Sequence, residues 1–374
     1  MIYFDNAATG GFKPRSVVES ALSVIRYLCA NPGRSGHRLS IAGADLVFQT
    51  RETLGKMFFA EPDRVIFTKN CTEALNLAIF GSLKKGGHVI TTTFEHNSVL
   101  RPLFYLKSQR FIELDIATPK KHLSLVDAIK EKIKNNTYLI VLTAVSNVNG
   151  LTLPISEIST LCKEKNILLL VDGAQGGGHI PLSVKETGIS FLALAGHKGL
   201  YGIMGSGALV LNENVSLNPL LYGGTGTETF NYNQIETYPE RFEAGTLNLP
   251  AISALNEGAK FVLENMKNFA DNLTQQTKQL INGIKEIKNA TCYSEPNPVG
   301  IVAFSLKNLP SGEVADILSS DYDVAVRGGF HCAPLMHKYL KTDNDGLVRA
   351  SLAVQNSSRE ISYFLNAVKE IANR

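Results

Sequence analysis

Two short segments place chemically versatile side chains just past the ends of apolar runs. ILLLVDGAQ carries Asp172 and Gln175, and SFLALAGHKG carries His197 and Lys198. The apolar runs at 167–171 and 191–194 are too short for ordinary helices and read as buried strands. In open parallel sheets, ligands gather at the carboxyl ends of strands. A carboxylate, an amide, an imidazole and an amine are therefore expected at one site. An amine in a dry pocket loses its proton readily and can attack an aldehyde. Pyridoxal phosphate supplies such an aldehyde, and its pyridine nitrogen needs an anion beside it, for which Asp172 is the candidate. Taken singly, Asp172 is better read as a turn cap and Lys198 as a solvated loop lysine. Together, at successive strand ends with His197 alongside, they favour the cofactor.

Other strand ends carry further candidates. In VIFTKNCTEALN a helix starts at Asn70, Cys71 and Thr72. Its unpaired amides and positive dipole end suit a phosphate, with the Thr72 hydroxyl added; the plainer use is capping by Asn70 or Thr72. His96 follows HVITTT, where its ring could lie on the cofactor or shuttle a proton, or could be a loop histidine. Asn147 follows YLIVLTAV and could bond the cofactor's phenolic oxygen or a substrate carboxylate, or form a turn before Gly150. In VAVRGGFHCAPLMH, Cys332 comes after a glycine pair flexible enough to swing, beside His331 and near Arg327. A cation and an imidazole there favour a thiolate, whereas a free cysteine is otherwise a small buried hydrophobe. Arg349 sits in an expected strand, where a guanidinium can grip an α-carboxylate bidentately or form a surface ion pair.

The elements that must position these residues follow a clear pattern. Residues 1–16 read as irregular. Helical spacing marks 16–29 and 42–59, separated by NPGRSGHRLS, a loop holding Arg34, His37 and Arg38. From Arg64 onward strands alternate with helices, one of them expected at 125–134, which implies an α/β fold with a mainly parallel sheet covered on both faces. A long amphipathic helix at 251–287 leads toward a second unit. There GIVAFSL and YDVAVR read as strands, and 312–318 and 357–372 as helices.

Composition narrows the functional class. The chain has 374 residues, enough for two or three domains. A net charge of +3 with no long basic run argues against nucleic acid as the main partner. No apolar run approaches the ~20 residues that span a bilayer, and the amino terminus lacks the pattern of a secretory signal. Five scattered cysteines without a CxxC argue against a disulfide framework or a zinc site, so no metal is expected and the compartment expected is a reducing cytoplasm. No GxGxxG opens a first strand–helix unit, which disfavours a dinucleotide-binding enzyme.

FDNAATG, NCTEALN, FEHNS, VSNVNG, VDGAQ, AGHKG, RFEAGTLN, RGGFHCAPL and VRASLAVQN occur in this order along nearly the whole chain. Together they resemble the cysteine desulfurase-type members of the class V aminotransferase family, which are fold-type I pyridoxal phosphate enzymes. The resemblance implies a large domain at 16–255 with a mainly parallel seven-stranded sheet, and a smaller α+β domain from 1–15 and 256–374. It implies that Lys198 joins the cofactor covalently, Asp172 pairs with the pyridine nitrogen, Gln175 bonds the phenolic oxygen and His96 stacks on the ring. Cys71, Thr72 and His197 would hold the phosphate, with Thr246 reaching it from the other subunit of a homodimer. Asn147 and Arg349 would hold the substrate carboxylate, with Arg327 nearby, and Arg34 and His37 would border the entrance. Cys332 would take sulfur from L-cysteine as a persulfide, releasing L-alanine, and pass it to an acceptor protein, as in iron–sulfur cluster assembly. Selenocysteine lyase, cystine β-lyase and aminotransferase activities are the neighbouring alternatives, and a non-enzymatic sulfur carrier is the alternative of another class. The chain departs from many relatives at Ala195, where a hydroxyl residue is usual; one lost phosphate hydrogen bond amounts to about 1 kcal/mol.

Overall fold

TYLIVLT, LLLVD and FLALA are apolar through their middles because each is covered on both faces, with polar residues only at the ends of the first two. The structure is a computed structural model describing residues 1–28 and 30–374. Its strands are β1 (Ile2–Tyr3), β2 (Val65–Thr68), β3 (Gly87–Thr92), β4 (Ile112–Ala117), β5 (Thr137–Thr143), β6 (Leu168–Asp172), β7 (Phe191–Ala195), β8 (Gly207–Leu211), β9 (Ala290–Cys292), β10 (Ile301–Leu306), β11 (Val324–Ala325) and β12 (Val348–Ser351). Its helices are α1 (Arg15–Tyr27), α2 (Arg38–Phe58), α3 (Cys71–Gly81), α4 (Asn97–Ser108), α5 (Leu125–Lys130), α6 (Ile155–Lys165), α7 (Val184–Thr187), α8 (Leu249–Glu286), α9 (Ser311–Tyr322), α10 (Pro334–Leu340) and α11 (Ser358–Ala372).

Seven strands form the main sheet in the order β2-β8-β7-β6-β5-β3-β4. All pairings are parallel except those of β8, which runs against both of its neighbours. Successive side chains of a strand face opposite ways, and β5 shows the result. Ile140 and Leu142 pack into a core that includes Leu54 of α2 and Leu255 of α8. Leu139 and Val141 pack into the core on the other face, with Leu75 of α3 and Leu103 of α4. Each such fully buried leucine or isoleucine contributes about 2 kcal/mol.

A separate core gathers Phe4, Leu280, Phe304, Val314 and Phe364 around the antiparallel sheet β12-β10-β9. The amino-terminal strand joins this part, with β1 parallel to β11. Helix α8 serves both: Leu255 to Val262 belong to the first core and Leu273 to Ile284 to the other.

Several local details differ from expectation. Helix α2 starts at Arg38 rather than near 42, because His37 caps it, Nδ1 accepting from the Ser40 N–H at 3.3 Å. The expected strand in YDVAVR shrinks to β11, since β1 offers only two residues to pair with. Helix α10 was not anticipated; it is two turns long, with Pro334 in its first turn. The end of the first expected helix, at Cys29, lies outside the described residues.

Candidate active site

Six strands of the main sheet, all but β8, end on one side, and the candidate residues follow from the ends of β2, β3, β5, β6 and β7. Asp172 closes β6 and is buried. Its Oδ1 accepts from the Ala174 N–H at 2.9 Å and from the Cys71 thiol at 3.4 Å. Lys198 lies just beyond β7. Burial pulls its amine below the ordinary lysine range, with Asp172 and Cys71 pulling the other way and Arg349 and Arg327 adding to the depression. These interactions put the amine among the very groups picked out from the sequence. Cys71 opens α3 in the same cluster, and burial together with Asp172 pushes its thiol well above the usual range.

His96 caps α4. Its Nδ1 accepts from the Ser98 N–H at 3.0 Å, with the Ser98 hydroxyl at 2.8 Å. A backbone donor on Nδ1 leaves the ring proton on Nε2. Burial lowers its pKa, so the ring is neutral; Asp172, Lys198, Arg327 and Arg349 all act on it. His197 points Nδ1 at the Thr9 hydroxyl, 3.1 Å away, and burial brings its pKa down to about 4. Gln175 is buried and donates to the Ala7 carbonyl at 2.9 Å.

At the start of α3, Asn70 accepts from the Glu73 N–H at 3.0 Å, the plain capping role foreseen for it. Thr72 is exposed in the first turn, leaving its hydroxyl free for another partner. Ala195 offers no hydroxyl, but Ser206 from the neighbouring strand's entry lies against Gly196, whose N–H donates to the Ser206 carbonyl at 3.0 Å.

Arg349 comes from β12 in the other core and is 1% exposed. Nη1 donates to the Asn147 carbonyl at 3.0 Å and Nη2 to Asp5 Oδ1 at 2.9 Å, while Nε is buried without a partner. The Asn147 amide donates to the His331 carbonyl at 2.7 Å. Arg327 pairs with Arg349 through backbone bonds of 3.1 and 2.8 Å, and its Nη2 lies 3.8 Å from Cys332 Sγ.

The cysteine loop is held rather than free to swing. Gly329 exchanges backbone bonds with Leu347 at 3.1 and 3.0 Å, and the Cys332 carbonyl accepts from Asn97 N–H at 2.7 Å. That last bond ties the loop to the helix His96 caps. His331 and Cys332 adopt φ values of 50° and 55°, a left-handed conformation costing on the order of 1 kcal/mol each. Of the two expected neighbours, only Arg327 brings a cation to the thiol. The His331 ring is buried, its pKa pushed down to about 2, and it bonds the Arg327 carbonyl at 3.2 Å.

Two candidates, Arg34 and His37, stand apart from this cluster within one chain, and a third, Thr246, lies at its edge near the start of α3. Arg34 donates to the Gly224 carbonyl at 3.1 Å and lines a cavity of about 390 Å³ with Phe48, Tyr238 and Glu240. His37 is exposed and caps α2. Thr246 is exposed and lines another cavity, of about 120 Å³, with Lys69, Glu73 and Ser206.

Sequence reasoning missed two contributors. Glu95, next to His96, is fully buried; burial drives its pKa up to about 8, so it is largely a neutral acid near neutral pH. Its Oε1 accepts from the Thr92 hydroxyl and from Thr143 N–H at 3.2 Å, and Oε2 has no partner. The only signal was its place in FEHNS. The other is the amino-terminal segment, which read as irregular. Besides Asp5 and Ala7, it supplies Gly10 N–H and Lys13 Nζ, which donate to the His197 carbonyl at 3.0 and 3.1 Å. No local pattern announces contacts between residues so far apart in sequence. Among the described residues, no cluster of side chains could hold a metal ion, and no helix is long and apolar enough to cross a membrane.

Comparison with known proteins places this arrangement. A protein of Pyrococcus abyssi named "Probable cysteine desulfurase" is 35% identical over 99% of this chain and 94% of its own length. One of Escherichia coli O8 named "Cysteine desulfurase" is 29% identical over 99% of this chain and 93% of its own. The solved apo structure of a cysteine desulfurase from Thermococcus onnurineus NA1 superposes with a TM-score of 0.92 at 31% identity, covering 100% of this chain and 94% of that one. The family model for aminotransferase class-V matches residues 2–364. With Lys198, Asp172 and their neighbours converging at the strand ends of such a sheet, the chain belongs to the aminotransferase class-V family.

Proposed function

We propose that this chain is a pyridoxal phosphate-dependent cysteine desulfurase. L-Cysteine would give its sulfur to Cys332 as a persulfide and leave as L-alanine. The thiol and the substrate sulfur become the persulfide, and the thiol's hydrogen ends on alanine, so no outside oxidant or reductant enters. The observation that carries this reading is the Cys332 loop, fastened by Asn97 to the helix that His96 caps and facing the Arg327 guanidinium.

The residues fit the cofactor. Both donors to Asp172 fall on Oδ1, which leaves Oδ2 for a protonated ring nitrogen. Lys198 is a buried amine with a lowered pKa, as a covalent attachment point needs. When bound, pyridoxal phosphate withdraws electrons from the substrate's Cα. Lys198 would hold it and, once displaced by the substrate, move the proton at Cα. His96, neutral with its proton on Nε2, would lie on the ring. The amides of Cys71 and Thr72, the Thr72 hydroxyl and His197 would hold the phosphate, and Gln175 the phenolic oxygen. Arg349 has Nε to offer the substrate carboxylate, with Asn147 beside it.

The same reading takes the protein as a cytoplasmic homodimer in which Thr246 reaches the phosphate across the subunit boundary and Arg34 and His37 border the entrance. Residues 16–255 would be the cofactor-binding unit and 1–15 with 256–374 the smaller one. A sulfur-acceptor protein, such as one serving iron–sulfur cluster assembly, would unload Cys332. The test is incubation of the purified protein with L-cysteine, with and without a thiol reductant, measuring alanine and sulfide together. Equal amounts of the two are expected with reductant, and, with L-cysteine held to one equivalent per subunit so that it does not itself unload the persulfide, alanine without matching sulfide in its absence. Pyruvate or keto acid in place of alanine would overturn the proposal in favour of a lyase or an aminotransferase.

A further inference from the structure

We propose that Cys71 is a positioning residue for Asp172: its thiol donates to Oδ1 and so turns Oδ2 toward the place of the cofactor's ring nitrogen. The inference rests on the function proposed above and goes beyond it, since that reading uses only the backbone of Cys71.

Cys71 and Asp172 are 7% and 3% exposed. They meet because the first turn of α3 packs on the sheet face carrying Leu170 and Ala193, in the same apolar core. The sulfur lies 3.4 Å from Oδ1, which the Ala174 N–H also reaches at 2.9 Å. Among the described residues none donates to Oδ2. A carboxylate with two donors on one oxygen and none on the other cannot roll about its Cβ–Cγ bond without breaking a bond in a dry site. The sense of the bond is fixed, because a thiol whose pKa is driven up by burial and by Asp172 stays protonated and donates. A cysteine that merely filled space would lose only packing on change to alanine, with no effect on how Asp172 is held. A donor makes a different prediction.

The experiment compares wild type, Cys71→Ala and Cys71→Ser, each loaded with pyridoxal phosphate. Lys198, Glu95 and His96 also face Asp172 and stay intact in all three. If wild type shows no absorption band near ~420 nm, the site reading itself fails, whatever Cys71 does. With the band present, its pH midpoint is expected to rise by about half a unit in Cys71→Ala. Losing the donor leaves the negative charge of Asp172 less shared, the ring's positive charge is more fully compensated, and the lysine-linked nitrogen becomes more basic. Serine, a stronger donor, is expected to return the midpoint to the wild-type value or below. Unchanged midpoints overturn the proposal. A second measurement needs only wild type and Cys71→Ser, both free of cofactor. The infrared S–H stretch lost on substitution should lie at lower frequency than that of an unbonded thiol; at the unbonded frequency, the proposal fails.

Discussion

Replacing Glu95 by glutamine tests the electrostatics beneath the site. The carboxyl is fully buried, and its pKa moves from an ordinary 4.5 to about 8, with burial as the main cause and the Asp172 charge adding to it. An acid whose pKa is raised on folding holds its proton more tightly in the native state. Its contribution is therefore full below the unfolded pKa and is lost as pH climbs through the folded one. At about 1.4 kcal/mol per unit, the shift corresponds to roughly 5 kcal/mol lost between about pH 4.5 and pH 8. Glutamine copies the shape of the protonated acid and keeps an oxygen for Thr92 and Thr143, but it cannot ionise. Urea unfolding of the cofactor-free proteins from pH 5 to pH 9 reads the difference. Wild type should lose stability relative to Glu95→Gln as pH rises, by several kcal/mol at the upper end. Parallel curves across that range would refute the burial argument.

Further outcomes follow from the same geometry. Cys332→Ala should lower alanine formation from L-cysteine by at least about 100-fold, while the cofactor's absorption spectrum stays that of wild type. Arg349→Lys should raise the KM for L-cysteine by about tenfold or more, because an ammonium is a single point and lacks the planar fork that reaches Asn147 and Asp5 while leaving Nε for a carboxylate; an unchanged KM would remove Arg349 from substrate binding. Arg51→Ala should destabilise the protein by about 3–5 kcal/mol in urea titration. It strands Glu243, which Arg51 meets through both guanidinium nitrogens, one at 2.9 Å, where both side chains are buried.

The alternation of strand and helix was legible because apolar runs such as LLLVD and FLALA mark buried strands and their polar exits mark the site. Asp172 and Lys198 could be found that way, since each follows directly from a strand end. Cys332 and Arg349 were legible as chemistry but not as neighbours: the bonds joining them to Asn97 and Asn147 cross from one core to another. The capping role of His37 was hidden because histidine is an uncommon cap. Glu95 was hidden because a carboxyl gives no hint in sequence of being buried. Asp5 and Thr9 were passed over because an irregular segment has no periodicity to read.

The clasp between the first residues and β12 also bears on biosynthesis. Asn6 N–H and Ala7 N–H bond Ser351, and Asp5 bonds Arg349, so these partners are 344 or more positions apart. A ribosome delivers one end of that clasp long before the other. The sheet carrying Lys198 can gather during translation, as early-made units generally do, yet the segment that gives Gln175 and His197 their partners Ala7 and Thr9 is fastened to Arg349 and Ser351 only once the last strand emerges. Binding competence should therefore arrive as a late event, after release, and nascent chains arrested short of Arg349 should have ordered sheet without the capacity to retain the cofactor.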